Sequence, residues 1–537
     1  MFDYYLAPYV ALTFAKEVAS IAKFKLDLTE PVYRELKNKL VDYQKEHKLI
    51  MGDNCKAELE GILNEFFKSN GIECSDSRVH KIIEDAYAET DNETFQAMEA
   101  FIHNLNTMHC LPASEKIWVY DVESQDFKTM TMEELNNSFK PNRYKVVSLN
   151  KETGKAEFKF ITHCKKMDNN RKLIKLTDSQ GRTVRVTDNH RIMTMDGIKI
   201  TEDIPENCNC TVSPRGIQLP AAKYDLCVSD YGKPIADDTF QSDHILINES
   251  FAEFIGYYMA DGYIMDDAST CCITTCGKVA FKEMKEMEEL LKNALGANSQ
   301  PHIVILSEEK NGTIENTILI QLGMQLAKMI ADKFGSTEDT KKIPVELMFA
   351  PKDVIKSFLK AYFKLGGKEA SAANKCLREQ ITFMLSSVCI SAQYKNCDDK
   401  ENIISLSGND SRVAEITDES VDDIKYNLRA VYEKYPKQCE EVTGHQNNKN
   451  LRYSELCELI DDYGIEELAP LENIFINDIE SKDELNSGDE YVYDISVEDN
   501  ESFLTAECIF VHNSRAGRHT AKMVNVPVTW ETSCPAV

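Results

Sequence analysis

Two places in this 537-residue chain carry side chains that can rearrange the backbone itself. The first is Cys110, in His109-Cys110-Leu111-Pro112. Its thiol can attack the carbonyl carbon of His109, so that a C–S bond forms, the amide C–N bond breaks and the nitrogen leaves as an amine. The exchange is uphill in a relaxed chain, so the fold must strain or polarise that peptide; a thiol used this way is ordinary covalent catalysis. The second place is Val511-His512-Asn513-Ser514. The Ser514 hydroxyl can take an acyl group from a thioester. The Asn513 side-chain amide can close on its own carbonyl and cut the chain before Ser514. His512 stands beside it as a proton carrier. A Cys at one border and His-Asn-Ser at the other are what a segment needs to cut itself out and join its flanks. Between them lies Thr187-Asp188-Asn189-His190.

The elements that must position these groups change texture at Cys110. Before it, Leu59, Ile62, Leu63, Phe66 and Phe67 recur at helical spacing, and Asn70-Gly71 predicts a stop. Val79, Ile82, Ile83, Ala86 and Tyr87 form a second stripe. Thr90 with Glu93 predicts a capping box that opens a third helix through Phe95, Met98, Ile102 and Leu105. These stripes read as core packing. After Cys110, residues 116–120, 144–149, 158–162 and 183–187 read as short strands, with turns at Thr153-Gly154-Lys155 and Ser179-Gln180-Gly181. The same texture returns at 491–497 and 503–505. The stretch between is mixed and rich in helix, with helices expected over 284–295, 321–334, 354–365 and 421–435. The acid-rich run 472–490 reads as a link back into the β unit, and no short-period repeat is evident.

Composition narrows the class. The chain is 42% hydrophobic and 28% charged, ordinary for globular protein. No apolar run is long enough to span a bilayer. The start has no basic segment ahead of an apolar core, so no secretory signal is expected. The seventeen Cys lack a disulfide spacing and read as reduced thiols, which implies a cytoplasmic protein. Cys208 with Cys210, and Cys271-Cys272 with Cys276, have no His at ligand spacing and read as structural thiols. A net charge of −28 disfavours nonspecific attraction to nucleic acid, because phosphate binding rests on Lys and Arg.

Taken together, Cys110, the T-x-x-H of Thr187 and His190, and the His512-Asn513-Ser514 border resemble an intein, a self-splicing protein insertion. The resemblance implies that His190 protonates the departing amide nitrogen of Cys110 and that Thr187 helps orient it. Asp494, in Val492-Tyr493-Asp494-Ile495, matches the aspartate of the family's penultimate block, where it would tune the Cys110 thiol and couple the two ends. Residues 1–109 would pass to Ser514 as a branched ester, Asn513 would cyclise with help from His512, and the ester would rearrange to an amide. The chain would act on itself in cis, with no cofactor. One departure stands out: where the family often carries a His, the string Asn500-Glu501-Ser502-Phe503 has Glu501, which bears on the rate and pH dependence of Asn513 cyclisation.

Inside the insertion, residues 254–262 (FIGYYMADG) resemble the LAGLIDADG motif of homing endonucleases. Gly256 and Ala260 would let two motif helices pack closely, and Asp261 would sit at the helix end over a divalent metal. Lys341-Lys342-Ile343-Pro344 resembles the block before the second motif, which would be 359–367 (LKAYFKLGG). There Gly366 stands in place of the second acid and bulky Leu365 in place of Ala260; Glu369 is the nearest carboxylate, three residues on. Metal-assisted phosphodiester cleavage needs ligands that place metal, water and leaving oxygen together, so the site reads as vestigial. Over 221–300 there are 14 Asp and Glu against 6 Lys and no Arg, unlike a DNA-tracking surface. Mg²⁺ and DNA enter only if the insert stays active; an active endonuclease is the alternative reading.

Deleting 110–513 yields FIHNLNTMHSRAG, which resembles an anaerobic, glycyl-radical ribonucleotide reductase. The likeness extends over 6–10 and 93–109, continues to Gly517 and fails after it. The radical-glycine motif and the four-Cys zinc site of that family are missing. The host frame is therefore expected to be truncated, with a reductase fragment as a further alternative for the function. The expected fold is multi-domain α+β. A helical flank (1–109) precedes an all-β, horseshoe-like splicing domain (110–220 and 475–513). That domain is split by an α/β LAGLIDADG endonuclease-like domain (221–474), and a short flank (514–537) follows.

Overall fold

The computed structural model describes residues 2–106, 110–194, 197–204, 209–220, 225–232, 243–267, 269–276, 281–296, 302–310, 313–364, 369–395, 402–407, 411–417, 425–448, 450–485 and 491–513. The chain divides into two compact units, 1–108 with 515–537, and 109–514.

The first unit is helical: α1 (Phe2–Leu26), α2 (Glu30–His47), α3 (Asp53–Ser69) and α4 (Asp76–Asn106). The stripes found in the sequence face a common core, in which Leu59, Leu63, Phe66, Val79, Ile82 and Ile83 are buried with Phe14 and Val18. α3 stops where Asn70-Gly71 predicted, with Gly71 at φ 65°. The capping box does not form. Thr90 lies inside the continuous helix α4, and its hydroxyl donates to the Ala86 carbonyl at 2.7 Å, so it satisfies the preceding turn instead of opening a new one.

In the second unit the strands form three antiparallel sheets around the two borders. In chain order they are β1 (Leu111–Pro112), β2 (Lys116–Asp121), β3 (Asp126–Thr131), β4 (Tyr144–Leu149), β5 (Ala156–Asp168), β6 (Leu173–Asp178), β7 (Thr183–Thr187), β8 (Arg191–Thr194), β9 (Gly197–Ile200), β10 (Asn209–Pro214), β11 (Ile474–Leu485), β12 (Tyr491–Val497), β13 (Ser502–Leu504) and β14 (Phe510–His512). The sheets run β1-β12-β5-β4-β2-β3, β10-β11-β6-β7 and β13-β14-β8-β9. Chain from both sides of the insertion thus interleaves in every sheet. The run 472–490 is not a link over its described part: β11 pairs with both β10 and β6. Its apolar half, from Ile474 to Ile479, is mostly buried, and its charges cluster in the more exposed half.

β2 explains why a whole strand can be apolar. Side chains alternate across a strand. Ile117 and Val119 enter one core with Val146, Val186, Tyr493 and Val511. Trp118, on the opposite face, enters another that reaches into the insertion. There its ring centroid lies 4.9 Å from that of Phe383, and Phe127 lies 4.9 Å from Phe349.

After α5 (Met132–Ser138), which follows β3, the insertion carries α6 (Glu249–Asp261), α7 (Phe281–Leu295), α8 (Met324–Phe334), α9 (Val345–Met348), α10 (Lys352–Lys364) and α11 (Lys375–Ser387). α6 leads into an antiparallel sheet of strands 262–264, 270–276, 313–321 and 302–310, and α10 into one of strands 369–372, 402–407 and 391–395. The expected helix over 421–435 is only partly helical: Lys425–Asn427 pairs with Asn450–Arg452, and the helix spans Arg429–Lys434. Among the described residues no helix is long and apolar enough to cross a membrane.

Candidate active site

At the first border, β1 lies against β12, with Leu111 opposite Tyr493, which places Cys110 beside the strand that carries Asp494. Thr187, the last residue of β7, clamps Cys110 from both sides. Its hydroxyl accepts the Cys110 N–H at 3.1 Å, and its own N–H donates to the Cys110 carbonyl at 3.0 Å. The nitrogen it holds is the one that leaves if the thiol attacks residue 109. The turn that follows is tied to the same point, because the His190 N–H donates to the Thr187 carbonyl at 2.8 Å. His190 is buried, and its carbonyl accepts from both the N–H and the hydroxyl of Thr201 at 2.8 Å. Arg171 holds Asp188 of that turn at 3.0 Å.

Electrostatics keep the Cys110 thiol quiet. Burial pushes the Cys110 thiol well above its ordinary value, the nearby Asp494 carboxylate pushes it further, and Lys165 and Arg171 offset only part of this. Asp494 is itself buried, opposite Lys165 across the β12–β5 ladder. A thiol in such surroundings stays protonated until a base takes its proton.

The second border sits on β14. Val511 pairs with Ile192 of β8, two residues after His190, and His512 pairs with Ser502. β8 therefore joins the Thr187–His190 turn directly to the far border. Asn513 is held by residue 501: its N–H donates to the Glu501 carbonyl at 3.0 Å. In the amide orientation that satisfies both ends, Asn513 Nδ2 donates to the same carbonyl at 2.5 Å and Oδ1 accepts the Val497 N–H at 2.9 Å. His512 Nδ1 lies 2.5 Å from the Asn513 carbonyl oxygen, the oxygen of the peptide bond to residue 514. Its Nε2 lies 3.2 Å from Lys151 Nζ. Burial first, then the Lys151 ammonium, lower His512 to about 4 against the pull of the Asn513 carbonyl and Glu501.

Of the residues expected from sequence, Thr187, Asp494 and His512 lie on these strands and Cys110, His190 and Asn513 directly at their ends; Ser514 lies outside the described residues. Sequence reasoning missed Lys151 and Val497, and it read Glu501 only as a departure.

The expected endonuclease positions gather elsewhere, on α6 and α10. Gly256 faces the second helix so closely that a Cβ there would lie 2.4 Å from the Phe358 carbonyl oxygen and 2.7 Å from Ala361 Cβ. Asp261 is exposed at the end of α6. One charged neighbour is Lys341, whose ammonium donates to the Met259 carbonyl at 3.0 Å. Leu365 and Gly366 lie outside the described residues. Among the described residues no three His, Cys, Asp or Glu side chains gather as metal ligands.

Residues 121–513 match the family model of the intein splicing domain. A DNA polymerase of Thermococcus litoralis is 26% identical over 296 residues, 52% of this chain and 16% of that protein. The chain thus spans about a sixth of that relative's length. A mutant of the Ssp DnaB mini-intein variant M86 is 18% identical, with a TM-score of 0.18 over 21% of this chain and 66% of its own. A structure of mesophilic variants of the homing endonuclease I-DmoI is 12% identical, with a TM-score of 0.25 over 33% of this chain and 99% of its own.

Proposed function

Because the chain belongs to the intein splicing-domain family, we propose that it excises residues 110–513 and joins 1–109 to 514–537. Inteins splice autocatalytically, within their own precursor, and need no cofactor. The observation that carries the assignment of borders is the continuity of 187–192. Thr187 grips the leaving nitrogen of Cys110, and Ile192 pairs with Val511, next to His512.

The steps follow from the groups present. The Cys110 sulfur attacks the carbonyl carbon of residue 109, its proton passing to Asp494. The C–N bond breaks, and the nitrogen held by Thr187 takes a proton from His190. The Ser514 oxygen then attacks the thioester: a C–O bond forms, the C–S bond breaks and the thiol returns. Asn513 Nδ2 attacks its own carbonyl carbon, closing a succinimide and releasing the Ser514 amine, while His512 Nδ1–H stabilises the oxygen that gathers charge. The freed amine attacks the neighbouring ester, which leaves an amide and restores the hydroxyl. Mass spectrometry of the chain produced in a reducing cytosol tests this. An excised piece spanning 110–513 and a ligated piece of 1–109 with 514–537 are expected. An intact 61.0 kDa chain with no thiol-induced cleavage at Cys110 overturns it.

The packing of Gly256 on α10 supports a second reading, of ancestry: the insertion derives from a LAGLIDADG endonuclease whose cutting site has decayed. Gly366→Asp alone is expected not to restore cleavage of DNA carrying the joined host site with Mg²⁺. Leu365→Ala with Gly366→Asp has the better prospect, and strong cutting by the unaltered chain sinks the reading. The joined string FIHNLNTMHSRAG supports an anaerobic ribonucleotide reductase as the interrupted host.

A further inference from the structure

The C-terminal border holds a charged pair that the splicing steps above leave without a task. Lys151 lies in the turn after β4, and its Nζ is 3.2 Å from His512 Nε2 and 3.6 Å from Glu501 Oε2. Glu501 Oε2 is in turn 3.8 Å from His512 Nε2. The His512 ring is fully buried, and the Glu501 side chain is partly buried.

Donor and acceptor rules fix the ring between them. The Asn513 carbonyl oxygen can only accept, so Nδ1 must carry a hydrogen. A lysine ammonium can only donate, so Nε2 must offer its lone pair. We propose that Lys151 is a positioning residue for Asn513 cyclisation, holding neutral His512 in the Nδ1–H tautomer aimed at the scissile carbonyl, with Glu501 as the counter-ion that holds Lys151. The proposal rests on the splicing reading and names the device that orients its second cleavage.

The surroundings are built for this. Asn150 Oδ1 accepts from the N–H groups of Glu152 (3.0 Å) and Thr153 (3.2 Å), which closes the turn around Lys151. Asn473 Nδ2 donates to the Thr153 carbonyl at 3.0 Å. Glu501 has φ 56°, uncommon for a residue other than glycine. From that one residue the main-chain carbonyl holds Asn513 and the carboxylate meets Lys151. The charged groups facing the ring are Lys151, Glu501 and, from β8, Arg191.

Without Lys151, neutral His512 is free to take the Nε2–H tautomer facing Glu501, which turns a bare Nδ1 lone pair on the carbonyl. Protonating the ring restores Nδ1–H. This gives a pH signature that lost packing alone does not produce. The experiment follows release of 514–537 from the full chain with Cys110→Ala, in which only the second border reacts. Lys151→Met is expected to slow release about tenfold at neutral pH, short of the roughly 100-fold cost of deleting an oxyanion donor. Its rate should then climb as pH falls through the His512 titration, which moves up once the neighbouring cation is gone, while the parent stays flat from about pH 5 to 8. Lys151→Arg should keep the flat profile. In the uncleavable Asn513→Ala chain, ¹⁵N shifts of His512 should report Nδ1–H, and Nε2–H once Lys151→Met is added. Thiol-induced cleavage at Cys110 in that chain should be unchanged, which shows that the variant folds. A Lys151→Met chain that cleaves as the parent does, with the same pH profile, overturns the inference alone. A parent that never releases 514–537 overturns the splicing reading and this inference with it.

Discussion

The two borders of the segment proposed to be excised are prepared to different degrees. At Cys110 the nucleophile is buried, faces a carboxylate and is held protonated. At Asn513 the carbonyl to be attacked already receives a hydrogen bond from a buried imidazole. The first border is therefore switched off until a proton moves. The second is prearranged for charge on its oxygen and is held back by the poor nucleophilicity of an amide nitrogen, tied to the Glu501 carbonyl.

Removing each reacting group breaks the comparison outright. Cys110→Ala is expected to abolish ligation while release of 514–537 persists, because the second border is complete without the thiol. Asn513→Ala should stop excision and let the branched ester, or its hydrolysed N-terminal fragment, accumulate. Ser514→Ala should end ligation while cleavage continues at either end. Intact-mass analysis separates the three; equal silence at both borders in Cys110→Ala would mean they are not independent.

Asp494→Asn sharpens the first border. Loss of the carboxylate removes a charge that raises the thiol, so thiolate absorbance against pH should shift downward. Thioester formation should nonetheless slow about 100-fold, the usual worth of a positioned base. A faster reaction would make Asp494 a brake on the thiol and not its base.

The next effect concerns the face both borders share. Trp118 and Phe127 pack at a tilt against Phe383 of α11, so the insertion completes the packing of these sheets. Glu507 crosses the same seam, accepting from the Thr183 N–H at 2.6 Å and from Arg378 at 3.1 Å. Phe383→Ala is expected to cost about 3–5 kcal/mol of stability by urea unfolding, measured on Asn513→Ala chains. Splicing should fall at both borders together, whereas a loss confined to one would mean that the sheets do not depend on the insertion.

What the sequence disclosed and what it hid divide along the same lines. Strands 144–149, 183–187 and 491–497 were legible to the residue, because short runs rich in β-branched and aromatic residues between turns are local signals. Thr187 and His512 were legible through their neighbours in the chain. Thr90 misled because a Thr three residues before a Glu also occurs within helices, where the hydroxyl can bond back to the preceding turn. The charged end of β11 looked like a linker because its exposed residues hide the ladder that pairs them. Lys151 could not have been found: its partner lies 361 positions away, and only the fold brings them together. Glu501 was visible as an oddity, but its charge gains meaning only beside Lys151.

The smallest effect is on acid stability, and it again sets the borders apart. His512 is lowered from 6.5 to about 4 in the fold. Between those values the unfolded chain binds a proton that the folded ring refuses, so its stabilising contribution is complete above pH 6.5 and is lost as pH falls toward 4. A shift of this size is worth at most about 3 kcal/mol. Near the first border, buried Glu115 runs the other way. Burial raises it to about 7 in spite of Arg185, so the folded chain takes its proton first, and acidification from 7 toward 4.5 is favourable there. The two slopes oppose each other in one titration, and a single unfolding curve hides both. Subtraction separates them: urea midpoints of Asn513→Ala chains with and without His512→Gln should diverge at pH 7 and converge as pH falls to about 4. Parallel lines over that range would mean that the imidazole titrates as in water, and that the second border is no better prepared than the first.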